Sequence, residues 1–217
     1  MTSPVPDLDA ILFDLDGTLI DTKGLILRSF RHATRTVLDR VIPDDVLMDM
    51  VGIPLRDQME KLSPEHADEL TATYREHNHR LHDELIRGFA GVAETLEQLA
   101  AAGLRLGVVT SKRNALAQRG LDCFDLGGYF ELLIGSDDTS RHKPLPDPLL
   151  LAASRLSVEP ARCAYVGDSP YDMQAARAAG MLAVAALWGM FERQRLLAAG
   201  AQLEATTFTE LPALLSG

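Results

Sequence analysis

The sequence predicts an α/β protein whose mainly parallel sheet is interrupted, just after its first strand, by an α-helical insertion. Three observations carry this. A short apolar run at 10–13 (AILF) stops abruptly in a polar turn. A long stretch after it repeats apolar residues at helical spacing. Beyond residue 87, short apolar runs alternate with helical patterns and tight turns, the texture of βαβ units, whose crossovers lay strands side by side and parallel.

Taken in order, residues 10–13 read as a buried strand. From about 22 to 87 the chain reads as helical, with no convincing strand. Leu25, Ile26, Ser29, Phe30 and Ala33 fall at i, i+3, i+4 spacing. A second long helix is expected over 63–86, with Pro64 in its first turn, where the missing N–H is harmless. Next comes a helix at 91–102, ended by Gly103, then a strand at 104–109 (LRLGVV) and a helix after Ser111. A strand at 131–135 (ELLIG), a helix at 147–156 and a strand at 163–167 (CAYVG) follow. A helix at 170–179, closed by Gly180, and a strand at 181–187 (MLAVAAL) complete the pattern. The expected division is a Rossmann-like core of 1–20 and 87–217 and a helical cap of 21–86. Such an insertion overhangs the carboxyl edge of the sheet, where open α/β folds bind ligands, and so has the layout of a lid.

Composition excludes several classes. The formal net charge is −10 and no Lys/Arg-rich run occurs, which argues against nucleic acid as a main partner. No apolar stretch is long enough to span a bilayer. Residues 1–9 lack a positive segment followed by an apolar core, so a short loose leader is expected there. Cys123 and Cys163 lack metal-ligand spacing and read as free core thiols of a cytoplasmic protein.

Polar residues gather where the apolar runs end. Asp14 and Asp16 follow AILF; Thr110 and Ser111 follow LGVV; Asp168, Ser169 and Asp172 follow CAYVG; Lys143 lies between them in HKPLPDP. In a parallel sheet these ends share one edge. Asp14 and Asp16, two residues apart on extended chain, face one side, and Gly17 permits a sharp turn or a close backbone approach. Four carboxylates together repel: two charges 4 Å apart cost about 4 kcal/mol at an effective dielectric of 20. A hard cation such as Mg²⁺, with oxygen ligands and a phosphate partner, resolves this. Lys143, the Thr110 hydroxyl and the start of the helix after Ser111 offer an anion site. The set suggests phosphoryl transfer through an aspartyl-phosphate.

With these residues in place, the chain resembles the haloacid dehalogenase superfamily of phosphohydrolases over nearly its whole length. FDLDGT (13–18) resembles its first motif, DxDxT; Thr110 matches the second, Lys143 the third, and GDSPYD (167–172) the fourth, GDxxxD. The helical insertion resembles the C1 cap. The resemblance implies Asp14 as nucleophile and Asp16 as general acid, then base. It implies Thr110 and Lys143 on the phosphoryl oxygens, and Mg²⁺ on Asp14, Asp168 and the Asp16 carbonyl. Asp172 would hold Lys143 or reach the metal through water. LFDLDGTLIDT, VTSKR and KPLPDP resemble phosphoglycolate phosphatases and the neighbouring pyrophosphatase branch. VGIPLR (51–56) resembles the specificity loop of such caps, so Gly52 and Arg56, together with Ser111, are candidate contacts to a small anionic phosphorylated substrate.

Blander readings stand beside these: a strand-end turn for Asp14 and Asp16, a helix N-cap for Thr110 and Ser111, a solvated loop lysine, a first-turn helix acid for Asp172. Four motifs in order weigh against them. Five of the six histidines fall in the cap, and EHNHRLH (76–82) reads as a solvated helix face, since one Glu-x-x-His unit does not make a di-iron site. Arg28, Arg31 and Arg35 are expected to face solvent. Trp188 is expected to pack near the site edge. A phosphomutase of the β-phosphoglucomutase type and a receiver-type phospho-acceptor module remain alternatives, and so do a monomer and a homodimer.

Overall fold

The computed structural model describes residues 7–215, so the leader expected over 1–9 lies mostly outside the described residues. Strand β1 (Ala10–Phe13) is fully buried. Its pleat sends Ala10 and Leu12 into one hydrophobic cluster and Ile11 and Phe13 into another. A strand apolar on both faces belongs at the centre of a sheet covered on both sides.

The chain then leaves the sheet. Strand β2 (Ile20–Asp21) leads into α1 (Lys23–Leu38), α2 (Asp44–Met48), α3 (Leu55–Leu62) and α4 (Ala67–Leu85), and β3 (Arg87–Gly88) returns it. β2 and β3 pair antiparallel, Ile20 with Gly88 and Asp21 with Arg87, so a short ribbon frames the helical segment. Arg87, expected to end the helical stretch, belongs to that ribbon; two-residue strands carry no periodicity to read. The helix expected over 63–86 is also divided. Pro64–His66 form a 3₁₀ turn, and α4 begins only after His66, whose ψ of 11° breaks the helical run. α1 packs on α4, with the Phe30 and Tyr74 rings 5.1 Å apart edge to face. Arg28, Arg31 and Arg35 lie on the exposed face of α1, as expected.

The remaining elements alternate: α5 (Val92–Ala101), β4 (Arg105–Val109), α6 (Asn114–Asp122), β5 (Leu132–Ile134), α7 (Asp147–Arg155), β6 (Cys163–Gly167), α8 (Pro170–Ala179), β7 (Leu182–Ala186), α9 (Arg193–Ala198), β8 (Leu203–Ala205) and α10 (Leu211–Leu215). Six strands form one sheet in the order β5-β4-β1-β6-β7-β8, every pairing parallel. From β1 the chain builds outward to β4 and β5, then crosses to β6 on the other side. That reversal places a crevice beside β1, where such sheets bind ligands. β8 and the two helices flanking it are absent from the sequence reading. LEA is too short, and its glutamate too polar, to register as a strand.

Candidate active site

β4, β1 and β6 lie side by side; Phe13 pairs with Val108 on one flank and Val166 on the other. The chain leaves these strands at Thr110, Asp14 and Asp168, so the three strand-end residues meet on one edge. Past Asp14 the backbone folds back, with the Gly17 amide donating to the Ile20 carbonyl at 2.8 Å. Gly17 has φ +87°, and a Cβ there would lie 2.2 Å from Asp168 Oδ2. Only glycine satisfies both the turn and the contact.

Lys143, on the loop between β5 and α7, reaches into the centre. Its Nζ donates to Asp14 Oδ1 at 2.9 Å, Asp172 Oδ1 at 2.6 Å and the Tyr165 hydroxyl at 3.0 Å. These partners match the three donors of an ammonium group. The Tyr165 hydroxyl in turn donates to the Val109 carbonyl at 2.8 Å. Asp172 Oδ2 accepts from the Ser169 amide at 2.9 Å and the Ser169 hydroxyl at 2.6 Å. Asp172 therefore both caps α8 and holds Lys143, the bland and the sharp reading at once. Both of its oxygens are engaged by protein donors.

Asp168 Oδ1 accepts from the Thr18 hydroxyl at 3.2 Å and Oδ2 from the Met190 amide at 2.7 Å. One oxygen from each of Asp14, Asp168 and Asp172 lies within 4.8 Å of the others. Three buried carboxylates thus stand together with one ammonium, which bonds two of them, Asp14 and Asp172. Burial pushes the Asp14 carboxyl up to about 7; Lys143 opposes this, and Asp172 and Asp16 add to it. Burial likewise holds Asp168 well above the usual carboxylate range, with the Asp172 and Asp14 charges adding to it. Burial alone would lower the Lys143 ammonium, but Asp14 and Asp172 outweigh it and hold it above the ordinary lysine value. The group is short of positive charge, and its oxygens suit a hard divalent cation.

A cavity of about 760 Å³ opens above this edge, lined by Asp14, Asp16, Thr110 and Lys143 below and by residues of the helical segment above. Asp16 faces it beside Asp14, as the spacing implied, and its Oδ1 accepts from Lys112 Nζ at 2.5 Å. The Thr110 hydroxyl accepts from the Lys112 amide at 3.2 Å. The helix expected to start after Ser111 begins only at Asn114, so Ser111 is not in its first turn. Instead the Ser111 hydroxyl donates to the Gly52 carbonyl at 2.8 Å and ties the core to the helical segment. Gly52 has φ +111°, and a Cβ there would meet Tyr171 at 2.8 Å. Arg56 lines the cavity, but its guanidinium pairs with Glu60, four residues on, and with Asp68.

Two expectations about the surroundings are corrected. Cys163 is buried as expected, whereas Cys123 is exposed and donates to Asp83 Oδ1 at 3.5 Å. EHNHRLH is not a solvated face throughout: His77 and His82 are buried, His77 bonded to Ser29 and His82 to Asp83. Trp188 packs on Phe208 and donates to the Thr18 carbonyl at 2.9 Å, the packing role expected of it.

Sequence reasoning missed Lys112, Tyr165, Thr18 and the Met190 amide. Lys112 stands three residues past the end of β4, in the same strand-end turn as Thr110, and could have been found. The Tyr165 hydroxyl, a single polar tip in an apolar strand, was a weaker signal. The Met190 amide left none.

A model of the family described as haloacid dehalogenase-like hydrolase matches residues 11–186. The chain is 39% identical over 194 residues to a pyrophosphatase named PpaX from Bacillus velezensis, covering 87% of this chain and 88% of that one. Among solved structures, a haloacid dehalogenase-like family hydrolase from Streptococcus pneumoniae superposes with a TM-score of 0.85 at 26% identity, covering 97% and 99% of the two chains. A predicted phosphoglycolate phosphatase from Haemophilus somnus superposes with a TM-score of 0.84 at 24% identity over 98% and 100%, a likeness of fold.

Proposed function

Since the chain belongs to the haloacid dehalogenase-like hydrolase family, we propose that it is a Mg²⁺-dependent phosphatase acting through an aspartyl-phosphate on a small metabolite of the pyrophosphate or phosphoglycolate kind. One observation carries the reading: Asp14 and Asp16 share the cavity floor while Lys143 holds Asp14 Oδ1 at 2.9 Å. Asp14 is thereby fixed in orientation at the open cavity, and Asp16 stands beside it to move a proton.

In the first step an Asp14 carboxylate oxygen attacks phosphorus and the bond to the leaving oxygen breaks. Asp16 gives that oxygen its proton. In the second step water attacks the aspartyl-phosphate, Asp16 takes a proton from the water, and the bond between phosphorus and Asp14 breaks. Lys143 and the Thr110 hydroxyl face the oxygens of the moving phosphoryl group. Asp14, Asp168 and the Asp16 carbonyl would hold Mg²⁺, while Asp172 stays on Lys143. When bound, the ion supplies positive charge against the phosphoryl oxygens. In this reading residues 21–86 act as the cap, and the bond between Ser111 and Gly52 seats it over the site.

The relatives named pyrophosphatase favour the diphosphate within this class. No helix among the described residues is long and apolar enough to cross a membrane. The test is phosphate release from pyrophosphate and from phosphoglycolate with Mg²⁺, for wild type and Asp14→Asn. The variant is expected to lose at least about 10³-fold in turnover with its fold intact. Near wild-type turnover would falsify the nucleophile assignment. Free phosphate matching the substrate consumed excludes a mutase, and sustained turnover excludes a phospho-acceptor module.

A further inference from the structure

The cavity above Asp14 is lined by several cations besides Lys143. Arg75 and His79 line it from α4, and Lys112 and Arg113 from the loop after β4. Most of its cations already have carboxylate partners. Lys143 holds Asp14, Lys112 holds Asp16, Arg56 holds Glu60 and Asp68, and Arg113 stands 3.9 Å from Asp137. Arg75 lines the cavity as an exposed side chain and has no hydrogen bond or ion pair with any described residue. Partial burial lowers its guanidinium below the ordinary arginine value, and the one charge acting on it is that of Arg113, which lowers it further. Arg75 and Lys112 in turn lower His79, after burial and Arg119.

Like charges lining one cavity, one of them without a protein counter-charge, are an arrangement that an anion entering the cavity would relieve. The phosphoryl group that reacts is already provided for by Lys143 and Thr110, so these cations serve a different part of the substrate. Resting on the phosphatase reading above, we propose that Arg75, with Arg113 lining the same cavity, binds a second anionic group of the substrate, the one that departs with the leaving oxygen. The substrate class is then a phosphate carrying a further phosphate or carboxylate, not a phosphate on a neutral body. Arginine suits the task, since its planar fork matches phosphate and carboxylate oxygens in pairs. Arg56, which the sequence favoured for this role, is tied to its neighbours on the cap.

The assignment is tested by kcat/KM of Arg75→Gln, Arg75→Lys and Arg113→Gln on three substrates with Mg²⁺: pyrophosphate, phosphoglycolate and p-nitrophenyl phosphate, which has one anionic group. For Arg75→Gln, the ratio of a doubly anionic substrate to p-nitrophenyl phosphate is expected to fall about tenfold or more, chiefly through KM. Arg75→Lys should recover part of that ratio. A fall confined to pyrophosphate makes the second group a phosphate; one confined to phosphoglycolate makes it a carboxylate. Ratios unchanged in a variant with wild-type circular dichroism and Tm overturn the proposal. If Arg75→Gln unfolds, Arg113→Gln, on a loop, decides by the same ratio. A wild-type protein that releases phosphate from none of the three overturns the phosphatase reading, and this assignment with it.

Discussion

Lys112 Nζ lies 2.5 Å from Asp16 Oδ1, a link between the loop after β4 and the turn after β1 across 96 residues of chain. It holds the proposed proton carrier against the cavity floor, where the leaving oxygen would sit. Lys112→Met should therefore slow reactions according to how much the leaving group needs a proton. Turnover of phosphoglycolate, whose leaving group is a poor one, should fall about tenfold to a hundredfold. Turnover of p-nitrophenyl phosphate, whose leaving group departs readily, should fall less. Equal losses on both would mean that Lys112 does not act through Asp16.

Lys143 has the opposite character, because its role is as much in stability as in chemistry. Lys143→Met would leave Asp14 and Asp172 buried without their ammonium, and stability should drop by about 3–5 kcal/mol. Urea denaturation measures this. Adding Asp14→Asn to the same chain removes one of the stranded charges and should restore part of the loss. If the two effects simply add, the carboxylates are not coupled through the lysine.

The histidines of α4 should make stability depend on pH. Burial holds the imidazoles of His82, His77 and His79 below the ordinary histidine value. The unfolded chain therefore takes up protons first as pH falls through about 6.5. The share of stability set by these histidines is complete above that pH and declines below it, while the buried Asp14 carboxyl, raised to about 7, works the other way and gains stability as pH falls. The difference in Tm between wild type and His82→Gln from pH 8 to pH 5 isolates the histidine part, and the variant should lose less on acidification. An unchanged acid limb in that variant would remove His82 from the account.

The sheet and the floor of the site were legible for one reason. Asp14, Thr110 and Asp168 each follow an apolar run directly, and parallel pairing brings such ends together whatever their distance in sequence. The walls were less legible. On α4 the inward residues past Leu70 are Thr71, Tyr74, His77, Asn78 and His82, at the right helical spacing but mostly polar, so a search for apolar periodicity passes over them. The Arg56 pairing with Glu60 was readable from i, i+4 spacing, but its bond to Asp68 needed the fold. Short pairings such as β2 with β3, or the edge strand β8, depend on partners that the local sequence does not contain.

The bond from the Met190 amide to Asp168 has a consequence during synthesis. Asp14 leaves the ribosome well before Met190, and Oδ2 of Asp168 is not held until Met190 has followed. A nascent chain thus carries the proposed nucleophile long before it carries the finished site. Hydrolysis should begin only once the chain through Met190 is free to fold. Truncations ending before β7 should be inert however well their helical segment forms, because the parts that meet on one sheet edge are made last as well as first.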